Sequence, residues 1–167
     1  MNKALYISFL FLSLLFLQVF LLNNILFLGY INPYLYVAFV IFYPLKKERY
    51  LFLFLSFLLG LFIDFFLDSG GINAFSLLFI AYIRLFFIRV IFKKTEQDYL
   101  LFNIHQEPFG KVFNYVIILT VIHHFILFSL ANFSTQNFLN VIVNTLYSTI
   151  FTTVLFFLGT YIIRKKN

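Results

Sequence analysis

The chain has 167 residues, 63% hydrophobic and 11% charged, with a mean hydropathy of +0.99, against roughly 45–50% apolar and about 25% charged in a soluble domain. So few charges cannot clothe a water-facing surface, which excludes a soluble fold, whereas a bilayer accepts apolar faces all round. Twelve Lys and Arg against six Asp and Glu give a net charge of +6, which in a polytopic membrane protein marks cytoplasmic loops rather than a nucleic-acid surface; the lack of Cys excludes disulfides, thiol catalysis and thiolate metal sites.

At about 20 residues per span, the chain suffices for five or six helices in one integral membrane domain over residues 1–167. Met1, Asn2 and Lys3 precede an apolar run over residues 4–22. No small-residue cleavage pattern follows it, so it reads as the first transmembrane helix and not a signal peptide. The second predicted span, residues 25–45, contains Gly29, Asn32 and Pro33. It is either a loop dipping into the interface before a short helix or a longer helix kinked at Pro33. A charged turn of Lys46, Lys47, Glu48 and Arg49 leads to a third helix over residues 50–67. Asp68, Ser69, Gly70 and Gly71 form a tight turn whose glycines accept positive φ, and residues 73–92 make the fourth helix. The longest loop, residues 93–111, holds three basic and three acidic residues around an apolar patch from Tyr99 to Ile104, expected to lie along the membrane surface. Residues 112–130 and 138–163 complete the spans, joined by a polar turn from Asn132 to Asn137.

Charge tests this count. With six helices and an inside amino terminus, the cytoplasmic segments hold Lys3; Lys46, Lys47 and Arg49; Lys93, Lys94 and Lys111; and Arg164, Lys165 and Lys166, while the outside loops hold no Lys or Arg. Only Arg84 and Arg89 fall inside a span. This partition predicts an all-α, six-helix transmembrane bundle with both termini cytoplasmic. Tyr6, Tyr30, Tyr34, Tyr50 and Tyr161 near helix ends suit the interfacial aromatic belt.

Ionisable groups within spans call for a partner. Asp64 and Arg84 are therefore the leading candidates, expected to pair across the hairpin of the third and fourth helices or to face a partner protein. On the third helix Ser56, Gly60 and Asp64 follow at i, i+4, i+8, a small-residue stripe that lets another backbone approach. On the fourth, Asn73, Ser76 and Arg84 fall within about 80°. The sixth helix carries Thr145, Ser148, Thr149, Thr152 and Gly159 on one side, read as a packing face. His123 and His124 are 100° apart on the fifth helix and should not both face one partner. No further His, Asp or Glu is evident at matching depth in the spans, so no metal site is expected. Gln18, with Asn23 and Asn24, is expected to make ordinary interhelical hydrogen bonds. No G-x-S-x-G, H-E-x-x-H or glycine-rich phosphate loop is present, so neither catalysis nor a cofactor is expected.

The run holding Gly60, Leu61 and Asp64, then Ser69, Gly70 and Gly71, then Ala74, and finally Ala81, Tyr82 and Arg84 resembles the signature of the rod shape-determining protein MreD family, with the Arg one position earlier than in that pattern. Gln18 with its neighbours and the segment Gly29 to Tyr36 are similar to the family's first two helices. The resemblance implies a multi-pass subunit of the bacterial inner membrane that supports lateral peptidoglycan synthesis without a reaction of its own. It also implies partners: an MreC-like periplasmic scaffold with one transmembrane helix, and a membrane glycosyltransferase and transpeptidase pair. In helix number and size the chain is also similar to the substrate-binding subunit of energy-coupling-factor vitamin transporters. Such a subunit needs an outward polar pocket, for which Asn24, Asn32, Asp68, Asn73 and Asn132 are the few candidates.

Overall fold

A computed structural model describes residues 3–25, 32–45, 49–99, 102–132 and 138–165, and every regular element among them is helical. Among the described residues five helical runs are long and apolar enough to cross a membrane: Lys3–Asn24, Tyr50–Leu67, Ile72–Phe92, Phe109–Ala131 and Phe138–Ile162. The chain is an all-helical, multi-pass membrane protein. Its α-helices are α1 (Lys3–Phe16), α2 (Ala38–Phe42), α3 (Tyr50–Leu67), α4 (Ile72–Phe87), α5 (Phe109–Ala131) and α6 (Phe138–Lys165). A π-turn, Leu17–Leu21, and a 3-10 turn, Leu22–Asn24, prolong α1, and a second π-turn, Ile88–Phe92, prolongs α4. The expected turn at Lys46, Lys47 and Glu48, the region around Gly29 and Tyr30, and nearly all of the turn between α5 and α6 lie outside the described residues.

At the second expected span the described residues follow the short-helix alternative and not a longer kinked helix. They contain only a 3-10 turn, Leu35–Val37, and the five-residue α2, together roughly 13 Å of helix against a hydrocarbon core of about 30 Å. Two prolines account for this. Pro33 lacks an N–H and biases Asn32 towards extended backbone, and Pro44 forces Tyr43 out of the helical region (φ −58°, ψ 131°).

Irregular backbone among transmembrane helices has to be satisfied by protein. The Tyr34 N–H donates to Thr152 Oγ1 and the Leu35 N–H to Gln18 Oε1, each at 3.0 Å. Gln18 Nε2 in turn donates to the Pro33 carbonyl at 3.0 Å. Gln18 is fully buried and stands in the first π-turn, a local widening often found where a helix meets a special neighbour.

Side-chain pairs fix the directions of the elements. The Gln18–Pro33 contact and the Phe11–Phe39 ring pair (5.8 Å) set residues 33–43 antiparallel to α1. Tyr36 meets Asn73 while Tyr43 meets Arg84, so the same residues run parallel to α4. His124 with Thr149 and Phe109 with Phe157 make α5 and α6 antiparallel. Hence α1, α3 and α5 run one way, and residues 33–43, α4 and α6 the other. The short piece is also the most enclosed: Tyr36, Val37, Phe39 and Val40 are all at most 1% exposed. The long helices wrap it and turn residues such as Phe9, Phe65 and Leu139 outward, as lipid-facing positions should.

The loop after α4 departs from expectation. Tyr99 and Ile104 of its apolar patch are buried in the bundle instead of lying along the surface. Two 3-10 turns, Glu96–Asp98 and Ile104–Gln106, carry the chain, and Lys94 pairs with Glu107 at 3.2 Å across it. Asp98 accepts from the Thr95 N–H and hydroxyl, which holds its carboxyl below the ordinary value.

Candidate functional site

Helix α4 begins after Gly71, whose missing side chain leaves its first N–H groups without the usual N-cap acceptor. Asp64 of α3 supplies that acceptor from the neighbouring helix. Its Oδ1 accepts from the Asn73 N–H (3.0 Å), Asn73 Nδ2 (2.9 Å) and the Ser69 hydroxyl (2.6 Å), and its Oδ2 from the Ala74 N–H (2.7 Å). A carboxylate at a helix N-terminus also opposes the helix dipole. The turn brings the donors into place through left-handed backbone at Asp68 (φ 51°), Gly70 (φ 66°) and Gly71 (φ 95°), the last two as expected. Asn73 extends the network by accepting from the Tyr36 hydroxyl at 2.6 Å. Asp64→Ala, which strands two helix-end N–H groups, is expected to cost about 3 kcal/mol, and Asp64→Asn about half that. Thermal unfolding in detergent micelles reads both; equal midpoints for the two variants and the parent would refute the cap.

The structure does not bring Asp64 and Arg84 together. Arg84 lies ten residues beyond Ala74 on α4, about 15 Å further along the axis, and is 2% exposed. Its Nη2 donates to the carbonyls of Tyr43 (2.6 Å) and Ile41 (3.3 Å), its Nε to the Tyr115 hydroxyl (3.2 Å), and its guanidinium carbon stands 5.0 Å from the centre of the Phe52 ring. Those carbonyls lie at and just beyond the C-terminus of α2, where a helix supplies no donors of its own. A planar fork of donors carrying positive charge suits a helix C-terminus. The two ionic groups therefore perform one task at opposite polarity, each closing the end of a helix that its own sequence leaves open, and neither presents itself to a partner protein.

The small-residue stripe faces α4 as expected, with Ser56, Gly60 and Asp64 buried. Asn73 and Ser76 are buried opposite, and the hydroxyls of Ser56 and Ser76 bond back to Phe52 and Ile72 of their own helices. The polar face of this hairpin is thus used within the bundle. On α6, Thr145, Ser148, Thr149 and Thr152 are buried, but a Cβ on Gly159 would meet nothing within 4 Å, so Gly159 is no part of a close-packed seam.

Around Tyr34 and Tyr36 the remaining polar residues collect. His123 and His124 are both fully buried, and against expectation both rings reach one neighbour: Tyr34 lies 6.4 Å from His123 and 5.2 Å from His124. Its ring is half-buried and packs against the core. His123 also meets the Tyr36 ring edge-on at 5.2 Å. His124 Nδ1 shares a hydrogen bond with Thr149 Oγ1 at 3.1 Å. Both ring nitrogens of His123, Nε2 of His124 and Oγ1 of Thr153 find no hydrogen-bond partner among the described residues, and no group of three metal-ligating side chains occurs among them. Tyr36 and Tyr115, both buried and hydrogen-bonded in this frame, were not singled out by sequence reasoning; a Tyr hydroxyl far inside an apolar span is itself a signal that a polar partner waits there. Of the residues proposed for an outward pocket, Asn24 bonds the Phe20 carbonyl and Asn132 that of Phe128, while Asn73 belongs to the Asp64 network.

No family model, curated protein or solved structure matches the chain.

Proposed function

We propose that the chain is a non-enzymatic membrane scaffold of the MreD type. In this reading it sits in the bacterial inner membrane with six passes and cytoplasmic termini, and supports lateral peptidoglycan synthesis by holding an MreC-like partner beside a glycosyltransferase and transpeptidase pair. One observation carries the reading: the residues of the MreD-like run are the ones that build the frame. Gly60 sits beneath the start of α4, Asp64 caps α4 and Arg84 closes α2. A scaffold needs rigid geometry, and it influences a partner only through its differential affinity for that partner's states. The six passes accord with residues 33–43 running opposite to α1, and the termini with Arg49, Lys93, Lys94 and Lys111 lying at the end where α1 starts.

Partner contact then falls to the outer surface. Tyr82, in the same run, is 62% exposed, and the Arg49 guanidinium stands 6.0 Å from its ring centre. An exposed aromatic of this kind is a typical hot spot. Tyr82→Ala should leave the unfolding midpoint unchanged and lower recovery of the MreC-like partner on co-purification by about fivefold or more, with rod cells rounding. Unchanged recovery and unchanged cell width would sink the docking role.

The second reading, a substrate-binding subunit of a small-solute transporter, is favoured by one observation. Interrupted backbone at Pro33 and Tyr34 stands among Gln18, His124 and Thr152, and discontinuous helices are a usual place for transported solutes. Retention of a small solute by the purified protein, lost in His124→Phe, would establish it in place of the scaffold.

A further inference from the structure

At the end of the bundle where α5 begins and α6 finishes, a half-open cleft of about 740 Å³ falls within the usual size of a ligand site, roughly 300–1,000 Å³. Its floor is aromatic. The Phe42 ring is stacked between Phe156 (5.0 Å, 12°) and His105 (5.6 Å, 18°). Opposite, Phe157 packs on Phe109 at 5.4 Å and on Phe113 at 5.7 Å. The polar lining residues are His105, Gln106, Glu107 and Thr160; His105 and Gln106 are exposed and form the rim, and Glu107 is already paired with Lys94. Lys93 and Lys94 precede, and Lys111 follows, the loop residues that form one wall, and Lys94 reaches Glu107 of that wall.

We propose that this cleft holds one anionic phospholipid, with an acyl chain on the aromatic floor and the headgroup phosphate at the His105–Gln106 rim. Lipid tails are as apolar as the floor, so the chain gains little by leaving the bilayer; selection among lipids rests on the headgroup. The rim itself is polar, and the basic residues lie beside it on the flanking chain; basic residues at the end of a helix pair favour anionic headgroups. A partner's transmembrane helix would need a strip along the whole bundle, whereas the cleft is confined to the last turns of α6.

The test is native mass spectrometry of the full chain, purified in detergent and offered equal amounts of phosphatidylglycerol and phosphatidylethanolamine with matched tails. The expected result is preferential retention of phosphatidylglycerol, lowered roughly fivefold by Gln106→Glu, which adds a negative charge at an exposed rim position. Val112→Trp, which fills the cleft, should remove the bound lipid of either class. Because Gln106 is on the surface, its variant carries the test even where Val112→Trp does not fold. Equal retention of the two lipids, unchanged retention in Gln106→Glu, or displacement of the phospholipid by inorganic phosphate would overturn the proposal, the last by making the rim a site for a soluble anion.

Discussion

Arg84→Met is expected to lower the stability of the protein by about 3–5 kcal/mol. The volume is nearly kept, so the loss comes from polar groups left alone: two carbonyls at the end of α2 and the Tyr115 hydroxyl lose their donor while buried. Each stranded group costs about 1–3 kcal/mol. Arg84→Lys should recover only part of the loss, because a single ammonium cannot serve carbonyls and hydroxyl in the plane that the guanidinium spans. Unfolding midpoints in micelles give the ranking, and single-cysteine labelling at Ile41 gives its cause. Labelling there should rise in Arg84→Met, since the short central piece is held at this end by Arg84. A Met variant as stable as the parent, with position 41 still protected, would show that α2 needs no such closure.

The second large effect is expected at Gly60. A Cβ there would lie 2.5 Å from Cα and 2.7 Å from N of Ala74, and 2.7 Å from the Asn73 carbonyl oxygen. These are backbone atoms in the first turn of α4, the turn whose N–H groups Asp64 holds, so they cannot retreat without breaking the cap. Gly60→Ala gains about 1 kcal/mol in helix propensity, but the forced separation of α3 and α4 should outweigh it, for a net loss of about 2–3 kcal/mol; Gly60→Leu should abolish folding. Gly159→Ala is the internal control, since a Cβ there meets nothing within 4 Å and only the propensity gain remains. Equal behaviour of the two alanine variants in thermal unfolding would contradict the close approach of α3 to α4.

Stability of this kind bears on the functional reading. Substitutions at Asp64, Gly60 or Arg84 that impair cell shape would do so through the frame, whereas a loss confined to partner recovery must come from an outward residue such as Tyr82. The two classes separate on the unfolding midpoint.

Much of the architecture was legible in the sequence because a bilayer imposes one-dimensional rules. Long apolar runs have to be helices, and α3 begins and ends at the predicted residues Tyr50 and Leu67. Ser56, Gly60, Asn73 and Ser76 fell on inward faces, since helical periodicity carries position along the chain into position around the axis. Gly70 and Gly71 adopt the positive φ that a tight turn requires. The signals that break the second span, Pro33 and Pro44, were also present in the chain.

What only the tertiary structure decided is which groups satisfy one another. Periodicity assigns a face and a depth to Asp64 and Arg84. It gives no information on which helix ends lack partners at those depths, and those open ends chose their contacts. In the same way a wheel separates His123 from His124 by 100°, yet Tyr34, inserted from the interrupted segment, touches both. Burial of backbone hydrogen-bonding groups away from water is a condition on three-dimensional neighbours. A chain that interrupts a helix in the middle of its own bundle settles that condition only when all the surrounding helices are in place.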